Sequence, residues 1–164
     1  MASVLIPEKL YKKLETDARK RGISVDELIV EALNPKTLNS NEKADYYLKL
    51  HEKYLKDADG FLAREDYVQA SEKLWGASAE IVKAVAASRG LDIKSHGELH
   101  EFVTKLWEET RDPQIRTLWL VATTLHQNFY EAWLPSSLVM EAAEDVKKFS
   151  EKVKGLLPQG QLQE

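Results

Sequence analysis

The sequence predicts an all-α protein: an up-and-down helical bundle preceded by a short strand-helix-helix module. Three observations carry that expectation. Only 7 Gly and 5 Pro interrupt 164 residues, and few fall within the long apolar-patterned stretches. Apolar side chains recur every three or four residues over long segments, the spacing of one face of a helix. Helix-start signals, Ser or Asp followed by Glu or Pro, stand at the head of several of these segments.

Ser3-Val4-Leu5-Ile6 alone reads as a strand, and Pro7 stops it. Glu8 to Arg21 places Leu10, Leu14 and Ala18 on one helical face, and Gly22 suits a left-handed C-cap. Ser24 with Glu27 forms a capping box that opens a second short helix, with Leu28, Ile29 and Leu33 turned inward. Asn34-Pro35 and the polar residues after it mark a boundary between modules. Beyond it, Tyr47, Tyr54, Phe61 and Leu48, Leu55, Leu62 form two adjacent stripes on a helix from Glu42 to Ala63. The next helix, Asp66 to Arg89, carries Tyr67, Leu74 and Ile81 beside Ala70, Ala77 and Ala84. Its Gly76-Ala77-Ser78-Ala79 run allows a neighbour to approach closely, and Gly90 ends it. Ser95 with Glu98 starts a helix through Leu99, Phe102, Val103 and Leu106. Asp112-Pro113, an N-cap followed by proline at N1, starts another through Leu118, Ala122, Leu125 and Phe129. Pro135 breaks that helix. Ser136 or Ser137 caps the last one, with Val139, Val146, Phe149 and Val153 inward. The expected division is residues 1–36, 40–156 and a flexible tail, 157–164.

Composition narrows the chemistry. With 43% hydrophobic residues the chain can build a core, and no apolar run reaches the length of a membrane span. The start lacks a signal-peptide pattern, so a soluble, cytoplasmic protein is expected. The absence of cysteine excludes disulfides, a thiolate nucleophile and sulfur-based zinc sites. The 23 basic and 27 acidic side chains give a net −4. Residues 1–38 hold 7 basic and 6 acidic groups, and residues 39–164 hold 16 and 21. An acidic bundle is poorly suited to gripping a long polyanion. No phosphate loop or dinucleotide fingerprint is present, and no cofactor is expected.

Two segments combine polar and aromatic groups on bundle helices. In the first, Gln69, Ser71, Glu72, Lys73 and Trp75 lie on or beside the small-residue face. Glu72 with Lys73 or Lys83 also reads as ordinary helix surface. In the second, His126 and Tyr130 are one turn apart, so an imidazole and a phenol can face one cavity, with Asn128 and Trp133 nearby. His126 is a candidate general acid or base. The expected ligand-binding set is Gln69, Ser71, Glu72, Lys73, Trp75, His126, Asn128 and Tyr130. His96 and His100 have the spacing of a metal pair, but the Glu between them is misplaced for a metallopeptidase, so no metal is expected and His96 reads as a capping-region residue.

Two resemblances add to this reading. Val4-Leu5-Ile6-Pro7-Glu8 with Arg21-Gly22-Ile23-Ser24-Val25-Asp26-Glu27-Leu28 resembles a ribbon-helix-helix protein, which implies strand pairing between two chains and hence a homodimer. The ribbon offers Ala2, Ser3, Val4, Leu5 and Ile6 rather than base-reading side chains, so a dimerisation element or a flap docked on the bundle is expected ahead of DNA binding. Gln69-Ala70-Ser71-Glu72-Lys73-x-Trp75-Gly76-Ala77, Ser95-His96-x-x-Leu99 and Leu125-His126-x-Asn128-Phe129-Tyr130-Glu131-x-Trp133-Leu134 resemble the archaeal PaREP family. That family's bundle is similar to the HEPN superfamily (higher eukaryotes and prokaryotes nucleotide-binding), which implies a helical dimer and, in some members, ribonuclease activity. Active members carry an Arg four to six residues before His on the last long helix. Here Arg116 and His126 are nine residues apart in between, and Arg89 and His96 straddle a helix end. The resemblance therefore implies a non-catalytic nucleotide- or RNA-binding module. A DNA-binding regulator and a divergent ribonuclease using His126 are the alternatives.

Overall fold

A computed structural model describes residues 3–21, 24–32 and 38–161. The described chain forms seven α-helices: α1 Glu8–Arg21, α2 Val25–Ala32, α3 Ser40–Ala63, α4 Tyr67–Ser88, α5 His96–Thr110, α6 Pro113–Glu131 and α7 Ser136–Lys154. A 3-10 turn, Gln159–Gln161, follows. The expected Gly22 cap, the inward Leu33, the Asn34-Pro35 boundary and the last three residues of the tail lie outside the described residues, as does the side chain of Glu27.

The bundle is organised around α4. This helix packs against α3, α5, α6 and α7, and its side chains from Ala77 to Ala87 are all buried. A helix with neighbours on every side must be apolar or small all round, and the Ala-rich sequence meets that condition. Gly76 brings α3 close, with the Tyr54 ring lying over its backbone. From the other helices, Leu99, Phe102 and Leu106 of α5, Leu118, Trp119 and Leu125 of α6, and Val139, Val146, Phe149 and Val153 of α7 complete the core. These are the periodic positions, with Trp119 added beside Leu118.

The caps depart from the expected pattern in instructive ways. α3 starts two residues early because Asn39 and Glu42 make a reciprocal capping box: Asn39 Oδ1 accepts from the Glu42 N–H at 3.0 Å, and Glu42 Oε2 accepts from the Asn39 N–H at 2.8 Å. Ser95 Oγ accepts from the Glu98 N–H, but Glu98 Oε2 accepts from the Lys94 N–H instead of closing the box on Ser95. Asp112 caps α6 ahead of Pro113, as expected. Neither Ser136 nor Ser137 caps α7; Pro135 takes the N-cap position without a side-chain hydrogen bond. α6 stops at Glu131, ahead of Pro135, with Ala132 in the left-handed conformation at φ 49.

No strand forms among the described residues, which corrects the strand at the start of the chain. Ser3 to Pro7 has no ladder because a strand's N–H and C=O groups need a second strand beside them, and the described chain supplies none. Val4 and Leu5 are 83% and 100% exposed. Near the end of the described chain Leu157 is buried in the core, and the Gln161 amide donates to the Asn41 carbonyl at 3.1 Å, beside α3. Among the described residues no helix is long and apolar enough to cross a membrane.

Candidate functional site

A cavity of about 420 Å³ opens where α4, α5 and α6 meet, with α1 and the start of α2 on its other side. Its floor follows from helical spacing. Glu72, Trp75, Gly76, Ala79 and Lys83 recur at three- and four-residue steps along α4 and so share one face. His126, Phe129 and Tyr130 do the same on α6, and His96 enters from the first turn of α5. Tyr11, Glu15, Ala18 and Arg19 of α1, with Ser24, Val25 and Asp26, line the opposite side.

Aromatic contact fixes the floor. The Trp75 indole, buried at 5% exposure, stacks on the His126 ring with centroids 4.8 Å apart and planes at 27°. His96 meets both rings edge-on, 5.1 Å from His126 and 5.6 Å from Trp75. Tyr130 stands edge-on to His126 at 5.3 Å. Beneath them Trp119 packs on Trp75 and donates its indole N–H to His100 Nδ1 at 2.9 Å.

Glu72 and His126, on different helices, converge: His126 Nδ1 lies 3.7 Å from Glu72 Oε2. Both atoms are sealed from solvent and neither makes a hydrogen bond. Burial raises the Tyr130 phenol above its ordinary value; the Glu72 carboxylate adds to the shift and the Arg19 guanidinium opposes it. Tyr130 therefore stays protonated across the physiological range. Lys73 sits over the Tyr54 ring, 4.6 Å from its centroid.

Six of the eight residues expected at the site, Gln69, Glu72, Lys73, Trp75, His126 and Tyr130, line this one cavity. Ser71 and Asn128 lie beneath it, fully buried. Asn128 Nδ2 donates to Ser71 Oγ at 2.9 Å, while Asn128 Oδ1 accepts from the N–H groups of Trp133 and Leu134 at 3.0 and 2.8 Å. Ser71 Oγ in turn donates to the Tyr67 carbonyl. The pair ties α4 to the end of α6 and satisfies the backbone that leaves the left-handed Ala132.

Three contributions escaped the sequence reading. Lys83 is not helix surface: it is 5% exposed and pairs at 3.2 Å with Glu80, itself 2% exposed, in the cavity wall. The signal was present, since Glu80 and Lys83 are the two charged residues within the run Ala77 to Ala87. His96 is more than a capping-region residue, because the α4–α5 turn swings it onto Trp75 and His126. Arg19 reaches the cavity only through tertiary packing, and no local pattern announces it. Among the described residues, no three His, Asp or Glu side chains are grouped to hold a metal ion.

No curated protein matches the chain. A crystal structure of a protein from Sulfolobus solfataricus is similar at a TM-score of 0.60 and 29% identity, over 66% of this chain and 97% of that one. The sequence also matches the Archaeal PaREP1/PaREP8 family over residues 46–150, a span from within α3 to near the end of α7 that holds Glu72, His96, His126 and the whole cavity floor. On that match the chain belongs to the Archaeal PaREP1/PaREP8 family.

Proposed function

We propose that this protein is a HEPN-like, homodimeric nucleotide-binding module whose ligand occupies the cavity between α4, α5, α6 and the α1–α2 hairpin. One observation carries the reading: the part-exposed rings of His126 and Tyr130, backed by buried Trp75, stand in the same cavity as Lys73, with Arg19, paired to Glu15, and Lys83, paired to Glu80, also in its wall. A flat base gains by stacking on such a platform, and a phosphate gains from nearby cations. The volume, about 420 Å³, is on the scale of a small-molecule site. The acidic balance of residues 39–164 favours a mononucleotide or an RNA end over a long strand. The exposed Val4 and Leu5 support the homodimer, because an apolar arm of this kind gains by packing against a second copy.

Isothermal titration of AMP, GMP, CMP and UMP tests the binding. At least one is expected to bind, with Arg19→Ala and Lys73→Ala each weakening affinity about tenfold through the loss of a charge-assisted contact. No measurable binding of any of the four defeats the reading. Light scattering of the wild type beside Leu5→Glu tests the dimer; a monomeric wild type removes that part.

A further inference from the structure

The arrangement around His126 contains more than a binding platform requires. Its Nδ1 is sealed inside the protein and faces a carboxylate oxygen that is equally sealed, 3.7 Å away. Both side chains nevertheless reach the cavity, with 21% and 35% of their surface exposed. A movement of less than about 1 Å would bring Nδ1–H within hydrogen-bond distance of Glu72 Oε2, and hydrogen bonds at catalytic sites are often long before a ligand binds. A carboxylate in that position holds the proton on Nδ1 and leaves the Nε2 lone pair for the cavity. Trp75, stacked on the ring, fixes its plane. A second imidazole, His96, stands 5.1 Å from the first. Lys73 brings positive charge to the cavity, whose other two lining cations are ion-paired, Arg19 with Glu15 at 3.5 Å and Lys83 with Glu80 at 3.2 Å.

An oriented base, a second proton-carrying group and a nearby cation are what phosphodiester hydrolysis requires. The cavity's size and the acidic bundle point to a small diester. We propose that the site hydrolyses a cyclic phosphodiester of a mononucleotide, with His126 and His96 as catalytic residues and Glu72 as a positioning residue. This rests on the nucleotide reading above. In the step, His126 Nε2 takes a proton from water as the water oxygen bonds to phosphorus. The bond from phosphorus to one ribose oxygen breaks, and His96, entering as imidazolium, protonates that oxygen. The product is a nucleoside monophosphate, and solvent returns the proton from His126 to His96. Nothing is oxidised or reduced.

The test incubates the protein with 2′,3′-cyclic AMP, 2′,3′-cyclic CMP and 3′,5′-cyclic AMP, with the products followed by phosphorus NMR. AMP binding is measured on the same samples by calorimetry. At least one cyclic nucleotide should be converted to its monophosphate, and His126→Gln and His96→Gln should each lower kcat about 100-fold or more. His126→Gln should also weaken AMP binding, since that ring belongs to the stacking platform, so the loss of catalysis is read as kcat at saturating substrate. Glu72→Gln should lower kcat at least about tenfold and displace the acid limb of its pH profile, with Glu72→Asp recovering part of the loss. AMP binding without turnover overturns the catalytic proposal and leaves the nucleotide reading standing. Absence of both overturns the two together. Turnover that survives His126→Gln, or cleavage of an RNA oligomer without hydrolysis of any cyclic mononucleotide, overturns the proposal as well.

Discussion

The Tyr54 ring of α3 lies so close to Gly76 of α4 that a Cβ at position 76 would stand 2.8 Å from Tyr54 Cδ2 and 3.1 Å from Cε2. Tyr54 is 6% exposed and Lys73 sits over its ring, so the ring has little room to retreat. Gly76→Ala therefore sets a helix-propensity gain of about 1 kcal/mol against an overpacking cost of about 1–3 kcal/mol. The expected outcome is a net loss in chemical denaturation, and a more stable variant would show that α3 and α4 can separate freely. Because Tyr54 also lines the cavity, the same substitution should weaken nucleotide affinity.

Asn128 should behave differently from its neighbour His126. Asn128→Ala removes the acceptor for two backbone N–H groups and the donor to Ser71, leaving buried groups without partners. A loss of about 2–4 kcal/mol is expected in urea unfolding. His126→Gln should cost far less, since His126 Nδ1 makes no hydrogen bond in the folded chain. Equal losses at the two positions would contradict the division between support beneath the cavity and wall of the cavity.

His51 gives the fold a pH dependence. Its ring is buried between α3 and α4, and Nδ1 contacts the Ala77 carbonyl oxygen at 2.8 Å. Burial lowers its pKa from 6.5, the charge of Lys154 adds to that, and the Ala77 carbonyl and Glu52 oppose it. The folded state thus resists a proton that the unfolded chain accepts. Stability is full above 6.5, falls as pH drops from there towards the lowered folded value, and levels off below it. The slope has a ceiling of about 1.4 kcal/mol per pH unit. Melting curves between about pH 5 and 8 should show this slope in the wild type and lose it in His51→Gln; an unchanged slope in the variant would rule His51 out as its source.

At the other end of the bundle, Asp112 caps α6 and receives the Lys152 ammonium at 2.7 Å. The Lys152 hydrogen bond, and then the Gln114 N–H, hold its carboxyl below the ordinary 3.8. The contribution is therefore present above that value and disappears as pH falls through the depressed one. At neutral pH the order of stability should be wild type, then Asp112→Asn, which keeps the cap, then Asp112→Ala, which loses both partners. The gap between wild type and Asp112→Asn should close as pH falls from 3.8 through that depressed value. A gap that persisted there would mean the charge is not its cause.

Residues such as Leu99, Leu106, Leu125 and Val146 announce their burial by spacing alone, because a helix repeats its face every three to four residues. Asp112-Pro113 is equally plain, since cap and N1 proline are neighbours in the chain. What stayed hidden depends on partners distant in sequence. Ser71 and Asn128 look like cavity residues beside Glu72 and Tyr130, and only their mutual bond across 57 positions sends them inward. Lys83 looks like a surface lysine until α3, α5 and α7 enclose α4. His126 and Glu72 were readable as candidates, but their meeting at 3.7 Å is a property of helix packing.

The family segment begins at residue 46, beyond the α1–α2 hairpin, while the hairpin contributes Arg19 and one side of the cavity. The family match thus covers the floor of the cavity and not its roof. Whatever enters this cavity meets a floor that lies within the family match and, opposite it, side chains that precede the match.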